Sequence, residues 1–167
     1  MRAVMQERFG PPERLTVRDV PVPEIGDDGI LVRVRAAGVN AYDWHMIRGT
    51  PYVARLLPGF GFRRPSHPVA GVDVAGVVEH VGATVTAFRP GDEVFGARNG
   101  GFADYVAARE RNLVAKPACL SFEEAAAIPT ASTTALLALR DQGGVQPGQR
   151  VLVVGAGGGV GSAAVQL

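Results

Sequence analysis

Apolar and polar residues alternate along much of the first two thirds of the chain, in short runs separated by glycine and proline. The alternating runs cover residues 15–20 and 30–36, a longer apolar run covers 71–81, and shorter runs cover 93–95 and 101–107. Alternation with a period of two predicts strands that bury one face. Short strands at this spacing predict a barrel or a sandwich between residue 1 and about residue 125.

Three other segments favour helix. Residues 42–49 predict a short helix, and Ser121 followed by Glu124 forms a capping box for a second helix that continues to residue 128. Pro129 is expected to break or kink that helix, and residues 133–140 are expected to resume it until glycines end it at 143–144. Residues 51–68 form a long loop with several basic residues, and loops of this length are usually functional or mobile.

Residues 151–167 combine three features. Four apolar, mostly β-branched residues at 151–154 predict a strand buried on both faces, as in a parallel sheet. A turn with five glycines in seven positions follows, and residues 162–167 then favour helix. Strand, glycine turn and helix start form the first half of a dinucleotide-binding βαβ unit.

The glycine turn predicts contact with the pyrophosphate of a dinucleotide. Glycines allow a tight turn and a close approach of the ligand, and the amides of the helix N-terminus attract its charge. The full G-x-G-x-x-G motif is not met, because Ala156 stands at its first glycine. A flexible linker is the alternative, but a linker would not follow a buried strand or lead into a helix. The candidate cofactor-binding residues of the turn are Gly155, Ala156, Gly158, Gly159, Val160 and Gly161.

A complete dinucleotide-binding unit also needs a second parallel strand and a residue that contacts the ribose, about 20 positions further on. Neither lies within residues 1–167. We therefore expect this chain to be the N-terminal part of a longer protein and to be inactive by itself. Residues 151–154 are expected to be an exposed apolar edge unless another chain covers them.

Composition argues against several classes of function. The net charge of +1 gives no electrostatic basis for binding nucleic acid or an acidic membrane. No apolar run is long enough to cross a bilayer, and the N-terminus lacks the apolar stretch of a signal peptide. The single cysteine, Cys119, favours a cytoplasmic protein without disulfides. Of the 17 basic residues 16 are arginine, which indicates a GC-rich bacterial gene.

Seven blocks of sequence, taken in order, resemble the medium-chain dehydrogenase/reductase superfamily. They cover residues 36–43, 71–82, 89–96, 101–106, 120–129, 145–153 and the glycine turn. Members of this superfamily join a GroES-like β-barrel catalytic domain to a Rossmann domain. The resemblance implies a mainly β GroES-like barrel domain over residues 1–124. Residues 125–167 would then form junction helices and the first βα elements of an α/β Rossmann domain.

The zinc alcohol dehydrogenases of this superfamily have metal ligands at three positions where this chain has Asn40, Val72 and Thr130. These residues do not supply the thiolate, imidazole or carboxylate donors that zinc needs. The family's structural zinc needs four cysteines, and this chain has one. The three histidines have no ligand-type spacing. The resemblance therefore implies no metal, as in the zinc-independent quinone oxidoreductase-like proteins and enoyl reductase modules.

For that branch, the resemblance implies hydride transfer from NADPH, with NADH as the alternative, to a small-molecule quinone or α,β-unsaturated carbonyl compound. It also implies a homodimer for the full-length protein and no nucleic-acid or membrane partner. Without a metal, hydrogen bonds must stabilise the negative charge that develops on the acceptor oxygen. The candidate catalytic residues are Asn40, Asp43, His45 and Tyr52, and the cofactor-binding set also includes Thr130 and Thr134.

Asn40 resembles the polar residue that replaces a metal ligand in that branch. The roles of Asp43, His45, Tyr52 and Thr134 each have an alternative. Asp43 either holds the Asn40 loop or forms an Asx turn. His45 and Tyr52 are either donors to the acceptor or ordinary loop residues. Thr134 either contacts the nicotinamide ring or bonds to its own helix backbone.

Two other functions remain open. One is a metal-dependent alcohol dehydrogenase, which metal analysis would identify. The other is a non-catalytic paralogue that only binds partners through its barrel. Whether the gene continues in frame beyond Leu167 bears directly on the second.

Overall fold

The structure is a computed structural model that describes residues 1–57 and 59–167. Its strands are β1 (Arg2–Met5), β2 (Thr16–Asp19), β3 (Gly29–Gly38), β4 (Asp73–Val81), β5 (Glu93–Ala97), β6 (Tyr105–Arg109) and β7 (Leu113–Ala115). Its α-helices are α1 (Ala41–Arg48), α2 (Phe122–Ala126), α3 (Pro129–Leu136) and α4 (Gly159–Gln166). Short 3₁₀ turns lie at Pro12–Arg14, Tyr52–Leu56 and Glu110–Asn112. None of the helices in the described ranges has the length and apolar character needed to cross a bilayer.

Five strands form one antiparallel sheet in the order β6-β3-β4-β5-β7. β1 and β2 form a separate antiparallel pair. Bridges from Ala3 to Ala103 and from Met5 to Val69 attach β1 to the segments beside the main sheet. β1 therefore contacts the segments that precede β4 and β6.

The strands predicted at 15–20, 30–36, 71–81 and 93–95 are present with small shifts of their ends. The strand predicted at 101–107 begins only at Tyr105, because the preceding residues make loop contacts instead. The backbone N–H of Phe102, for example, donates to the carbonyl oxygen of Ala70 at 2.8 Å. β1 and β7 have no counterpart in the sequence prediction, since runs this short show too little alternation to be recognised.

The main core lies on one face of the five-stranded sheet. Side chains alternate between the two faces along each strand, so β4 places Val74 and Val78 in the core and Ala75 on the opposite face. On that opposite face α2 packs against the sheet. The buried residues of the main core are Ile30, Val32, Val74, Val78, Val94, Val106, Ala108 and Leu113.

α1 and α2 lie where the sequence predicted helices. α1 follows Asn40 and ends at Gly49, whose φ of 67° is in the left-handed region that favours glycine. The hydroxyl of Ser121 accepts the backbone N–H of Glu124 at 3.1 Å, and the Glu124 carboxylate accepts the backbone N–H of Ser121 at 2.8 Å. The predicted capping box is therefore confirmed.

Pro129 begins a helix as well as ending one. It is the first residue of α3, where its missing N–H costs nothing because first-turn amides have no partner inside a helix. The prediction that the helix resumes only at residue 133 is therefore wrong. After Leu136 the helix widens into a π-helical segment, Leu137–Gln142, which ends at Gly143 near the predicted stop.

The strand predicted at residues 151–154 is not formed in the described part of the chain. Leu152 and Val154 are 88% and 89% exposed. A parallel strand needs neighbouring strands to complete its ladder, and none of the described residues pairs with this segment. The prediction of a strand buried on both faces is wrong for this chain, whereas the expected exposed apolar segment is observed.

Candidate functional site

A buried carboxylate, Asp73, is the centre of the candidate site. It has no exposed surface, and it accepts three hydrogen bonds. Its Oδ2 accepts from the side-chain Nδ2 of Asn40 at 3.0 Å and from the backbone N–H of Thr130 at 2.9 Å. Its Oδ1 accepts from the hydroxyl of Thr130 at 2.6 Å. Such partners replace the water that a buried charge has lost.

The strand pattern explains why Asp73 meets these partners. As the first residue of β4, it lies on the same face as Ala75, which packs against α2. Its neighbour across the ladder is Gly38, at the end of β3. A Cβ at Gly38 would overlap the carbonyl oxygen of Ala126, so glycine lets the end of α2 approach the sheet here. The start of α3, with Thr130, follows directly.

Two carboxylates hold Asn40. Its backbone N–H donates to Oδ2 of Asp43 at 2.7 Å, and its side-chain Nδ2 donates to Asp73. A carboxylate only accepts, so the Asp73 contact also decides which atom of the amide is nitrogen. Nδ2 carries two hydrogens, and in the described chain it makes one hydrogen bond of good geometry, to Asp73. The Asn40 side chain also lies close enough to Asp43 to lower the pKa of that carboxyl, so a ligand oxygen would compete with Asp43 for the second hydrogen.

Asp43 is itself buried, with 3% of its surface exposed. Burial raises the pKa of Asp43 above its usual value, and the negative charge of Asp73 adds to the increase, while the hydrogen bond from the Asn40 backbone opposes it. Its Oδ1 has no hydrogen-bond partner among the described residues. Asp43 therefore keeps its proton to a higher pH than an exposed aspartate does.

His45 and Tyr52 lie at the opposite end of α1 from Asn40. Nδ1 of His45 lies 2.9 Å from the carbonyl oxygen of Thr50, which can only accept, so this nitrogen carries the proton. Tyr52 is 72% exposed, and its ring lies 4.7 Å from the guanidinium of Arg55. In the described chain neither residue hydrogen-bonds to Asn40 or Asp73, so the structure does not bring the four candidate catalytic residues into one cluster.

The two candidate threonines of α3 have different contacts. Thr130 hydrogen-bonds to Asp73 through both its backbone and its hydroxyl. Thr134 is exposed, and its hydroxyl donates to the carbonyl oxygen of Thr130 at 2.7 Å. That is the helix-backbone contact named above as the alternative for Thr134.

The glycine turn leads directly into α4. The N–H of Gly158 donates to the carbonyl oxygen of Gly155 at 3.0 Å, and Gly155 has a φ of 81°. A Cβ at Gly161 would overlap that same carbonyl oxygen, so the turn packs tightly on the first turn of the helix. By contrast, no atom lies within 4 Å of the place where a Cβ of Gly157 would be. The turn therefore has one packed face and one open face.

The open face fits the pyrophosphate of a dinucleotide. It combines residues without side chains with the N-terminus of a helix, whose first amides and dipole favour an anion. A Cβ placed on Gly159 would lie 3.7 Å from the Cβ of Ala131, so α4 packs on α3. Thr130 and Thr134 are thus on the helix next to the turn. Ala156 and Val160 lie on the exposed surface of the turn.

The positions that carry metal ligands in zinc alcohol dehydrogenases do not present metal donors here. Asn40 and Thr130 are hydrogen-bonded to Asp73, and Val72 has no donor atom in its side chain. Within residues 1–57 and 59–167, no three His, Cys, Asp or Glu side chains lie close enough together to hold a metal ion. The donor set therefore does not fit zinc.

Comparison with known proteins identifies the family. Residues 26–118, more than half of the chain, match the family model of the alcohol dehydrogenase GroES-like domain. The chain belongs to this family. The matched residues of the GroES-like domain contain β3 to β7 and the two carboxylates that hold Asn40.

Relatives extend the likeness beyond the GroES-like domain. Quinone oxidoreductase from Homo sapiens is 41% identical over 170 residues, which cover 100% of this chain and 49% of the relative. A 2-methylene-furan-3-one reductase from Solanum lycopersicum is 38% identical over 159 residues, covering 89% of this chain and 39% of the relative. The chain spans about half the length of the curated relatives it matches.

Solved structures have the same fold. The enoyl reductase CurK superposes with a TM-score of 0.90 at 28% identity, over 99% of this chain and 50% of its own. A mycobacterial protein in complex with NADPH superposes with a TM-score of 0.85 at 31% identity, over 99% of this chain and 49% of its own. The resemblance to quinone oxidoreductase-like medium-chain dehydrogenases/reductases is confirmed. The fold class, a GroES-like domain followed by the first Rossmann elements, is confirmed too.

Asp73 is the residue whose importance the sequence analysis missed. It lies next to Val72 within the block 71–82, but it was not among the candidate site residues. The available signal was an acidic residue inside the apolar run 71–81, because a charge in a strand buried on both faces requires dedicated partners.

Gly161→Ala is expected to weaken binding of NADPH about tenfold or more, because the new Cβ overlaps the Gly155 carbonyl oxygen and displaces the turn. Val165→Ala is the control, since Val165 is exposed on the same helix outside the glycine turn. Fluorescence titration of the full-length gene product measures both affinities. Equal affinities in the two variants would show that the turn does not hold the cofactor.

Proposed function

We propose that the protein is a zinc-independent, NADPH-dependent oxidoreductase that reduces a quinone or an α,β-unsaturated carbonyl compound. The observation that carries the proposal is the Asn40 amide, which Asp73 holds in one orientation and whose second N–H can donate to a ligand oxygen in place of Asp43. The relatives support the same chemistry, since they include a quinone oxidoreductase and a 2-methylene-furan-3-one reductase.

The cofactor side of the site is built from α3 and α4. When bound, NADPH supplies the hydride. The open face of the glycine turn would hold its pyrophosphate, and Thr130 and Thr134 stand on the neighbouring helix. The choice of NADPH over NADH rests on the mycobacterial neighbour solved with NADPH.

On the acceptor side, Asn40 donates a hydrogen bond to the carbonyl or quinone oxygen as negative charge develops there. Asp73 positions the amide, and Asp43 holds the Asn40 backbone. His45 and Tyr52, at the other end of α1, would contact more distant parts of the acceptor. We place the domain boundary between residues 124 and 125. The hydrogen bonds from Thr130 to Asp73 then connect the junction helices to the GroES-like domain.

The protein is expected to bind no zinc. Asn40, Val72 and Thr130 cannot supply thiolate, imidazole or carboxylate ligands, and Cys119 is the only cysteine of the chain. Elemental analysis after purification from zinc-supplemented culture measures the metal content. About one tightly held zinc per chain would contradict this part of the proposal and favour a metal-dependent alcohol dehydrogenase.

The activity itself is tested by following NADPH oxidation by the full-length gene product with 1,4-benzoquinone, with a conjugated enone and with a saturated ketone. Turnover is expected with the quinone or the enone and not with the saturated ketone, because hydrogen bonds alone polarise an isolated carbonyl poorly. Binding of neither NADPH nor any acceptor would favour a non-catalytic binding paralogue instead.

A further inference from the structure

A cleft lined by arginines lies beside the loop that follows α1. Its volume is about 360 Å³, and no carboxylate lines it. Elsewhere in the described chain six arginines form ion pairs with a carboxylate, as Arg18 does with Glu7 at 2.6 Å. Within residues 1–57 and 59–167, none of the arginines of this cleft forms an ion pair. The lining residues are Arg8, Phe9, Arg14, Arg55, Arg63 and Arg64.

Stacking and backbone contacts hold Arg55 at the inner wall of this arginine cleft. Its guanidinium lies 4.4 Å from the ring centroid of Phe9 and 4.7 Å from that of Tyr52. Its Nε–H donates to the carbonyl oxygen of Gly49 at 2.8 Å. Aromatic faces stabilise a guanidinium without neutralising its charge. Arg55 therefore keeps its positive charge and a fixed orientation.

The arginine cleft has a much higher density of positive charge than the chain as a whole. The net charge is only +1, yet five positive side chains line one cleft. Like charges this close repel one another, and an anion that binds among them relieves the repulsion. Guanidinium groups match the geometry of phosphate oxygens through paired N–H donors.

We propose that the arginine cleft binds the phosphate group of a small organic phosphate, and that this phosphate is carried by the hydride acceptor. The second part rests on the proposed function. The cleft and the candidate site lie at opposite ends of α1. Asn40 precedes the first residue of this helix, and Arg55, which contacts the ring of Tyr52, lies at its other end. Eight helical residues span about 12 Å, so the acceptor would have its reactive carbonyl at Asn40 and its phosphate roughly that far away.

The binding test uses inorganic pyrophosphate as the probe, titrated calorimetrically into the full-length gene product at low salt. The double variant Arg63→Ala/Arg64→Ala should bind pyrophosphate about tenfold or more weakly, because two charge-assisted contacts are lost. The control Arg89→Ala/Arg111→Ala removes the same charge outside the cleft and should leave the affinity unchanged. The glycine turn is a second place where pyrophosphate can bind, so the comparison is repeated in a Gly161→Ala background, where the loss caused by Arg63→Ala/Arg64→Ala should persist. Arg63→Gln/Arg64→Gln repeats the test with longer polar side chains.

Three results would overturn the cleft as a phosphate site. They are no binding of pyrophosphate to the unaltered protein, an equal loss in the control double variant, and binding of duplex DNA without binding of pyrophosphate. The first result would mean that the cleft binds no phosphate. The second would mean that only the diffuse positive charge of the protein attracts pyrophosphate, and the third would indicate a nucleic-acid surface.

The link to the acceptor is tested by kinetics with crotonyl-coenzyme A, which carries phosphates, and 1,4-benzoquinone, which is neutral. In Arg63→Ala/Arg64→Ala the KM for crotonyl-coenzyme A should rise about tenfold or more, while the KM for the quinone stays the same. If the double variant had the same KM for crotonyl-coenzyme A as the unaltered protein, the cleft would not bind the phosphate of the acceptor. Failure of all turnover would count against the proposed oxidoreductase, and the calorimetric result for the cleft would still stand.

Discussion

Asp73→Ala is expected to lower the free energy of unfolding by about 2–4 kcal/mol, because it leaves three half-buried donors without their acceptor. These donors are Nδ2 of Asn40 and the backbone N–H and hydroxyl of Thr130. The truncation also creates a cavity where a fully buried side chain stood. Chemical denaturation followed by circular dichroism measures the change.

Asp73→Asn is the matched control for this prediction. Its amide oxygen can accept from Asn40 and from the Thr130 backbone, and the Thr130 hydroxyl can rotate to accept from the new NH₂ group. We expect this isosteric variant to lose about 1–2 kcal/mol, clearly less than the alanine variant. Similar losses in the two variants would show that volume and not hydrogen bonding makes Asp73 important. If neither variant lowered the free energy of unfolding, Asp73 would not stabilise the site.

Asn40→Ala is expected to lower kcat about 10²-fold or more, with the dissociation constant of NADPH nearly unchanged. The variant removes the amide that is proposed to donate to the acceptor oxygen, while Asp73 keeps both of its contacts with Thr130. The fold should therefore survive. Steady-state kinetics with a quinone and an enone, together with cofactor titration, separate the two effects.

His45→Ala provides the comparison for Asn40→Ala. His45 is exposed and its ring nitrogen bonds only to the Thr50 carbonyl oxygen in the described chain, so its removal should change kcat far less. An unchanged rate in Asn40→Ala would exclude the amide from the mechanism. Positioning of the acceptor would then fall to the loop around Tyr52.

The elements that the sequence predicted well are those whose signals are local. The alternation in residues 30–36 and 71–81 is enough to identify β3 and β4, because period-two burial repeats within a few residues. The capping box of Ser121 and Glu124 involves residues three apart, and it formed as predicted. The glycine turn likewise leads into α4, which begins at Gly159, three residues before the predicted start.

The elements that failed depend on segments far away along the chain. Residues 151–154 have the composition of a buried strand, but composition cannot supply the neighbouring strands that a parallel ladder requires. β1 is only four residues long and forms because β2 and the segments around Ala103 and Val69 lie beside it. Pro129 was interpreted only as a helix breaker. Proline is also well suited to the first position of a helix, and here it begins α3.

The sequence likewise predicted only part of the candidate site. The residue types at positions 40, 72 and 130 were sufficient to argue against zinc, because ligand chemistry depends on identity alone. The hydrogen bonds that give Asn40 its orientation were not predictable, since they join residues 33 and 57 positions apart. Which face of β4 the Asp73 carboxylate occupies, and which helix covers that face, is settled by packing between distant segments. Local pattern specifies what each segment can form, and long-range packing selects which side chains meet.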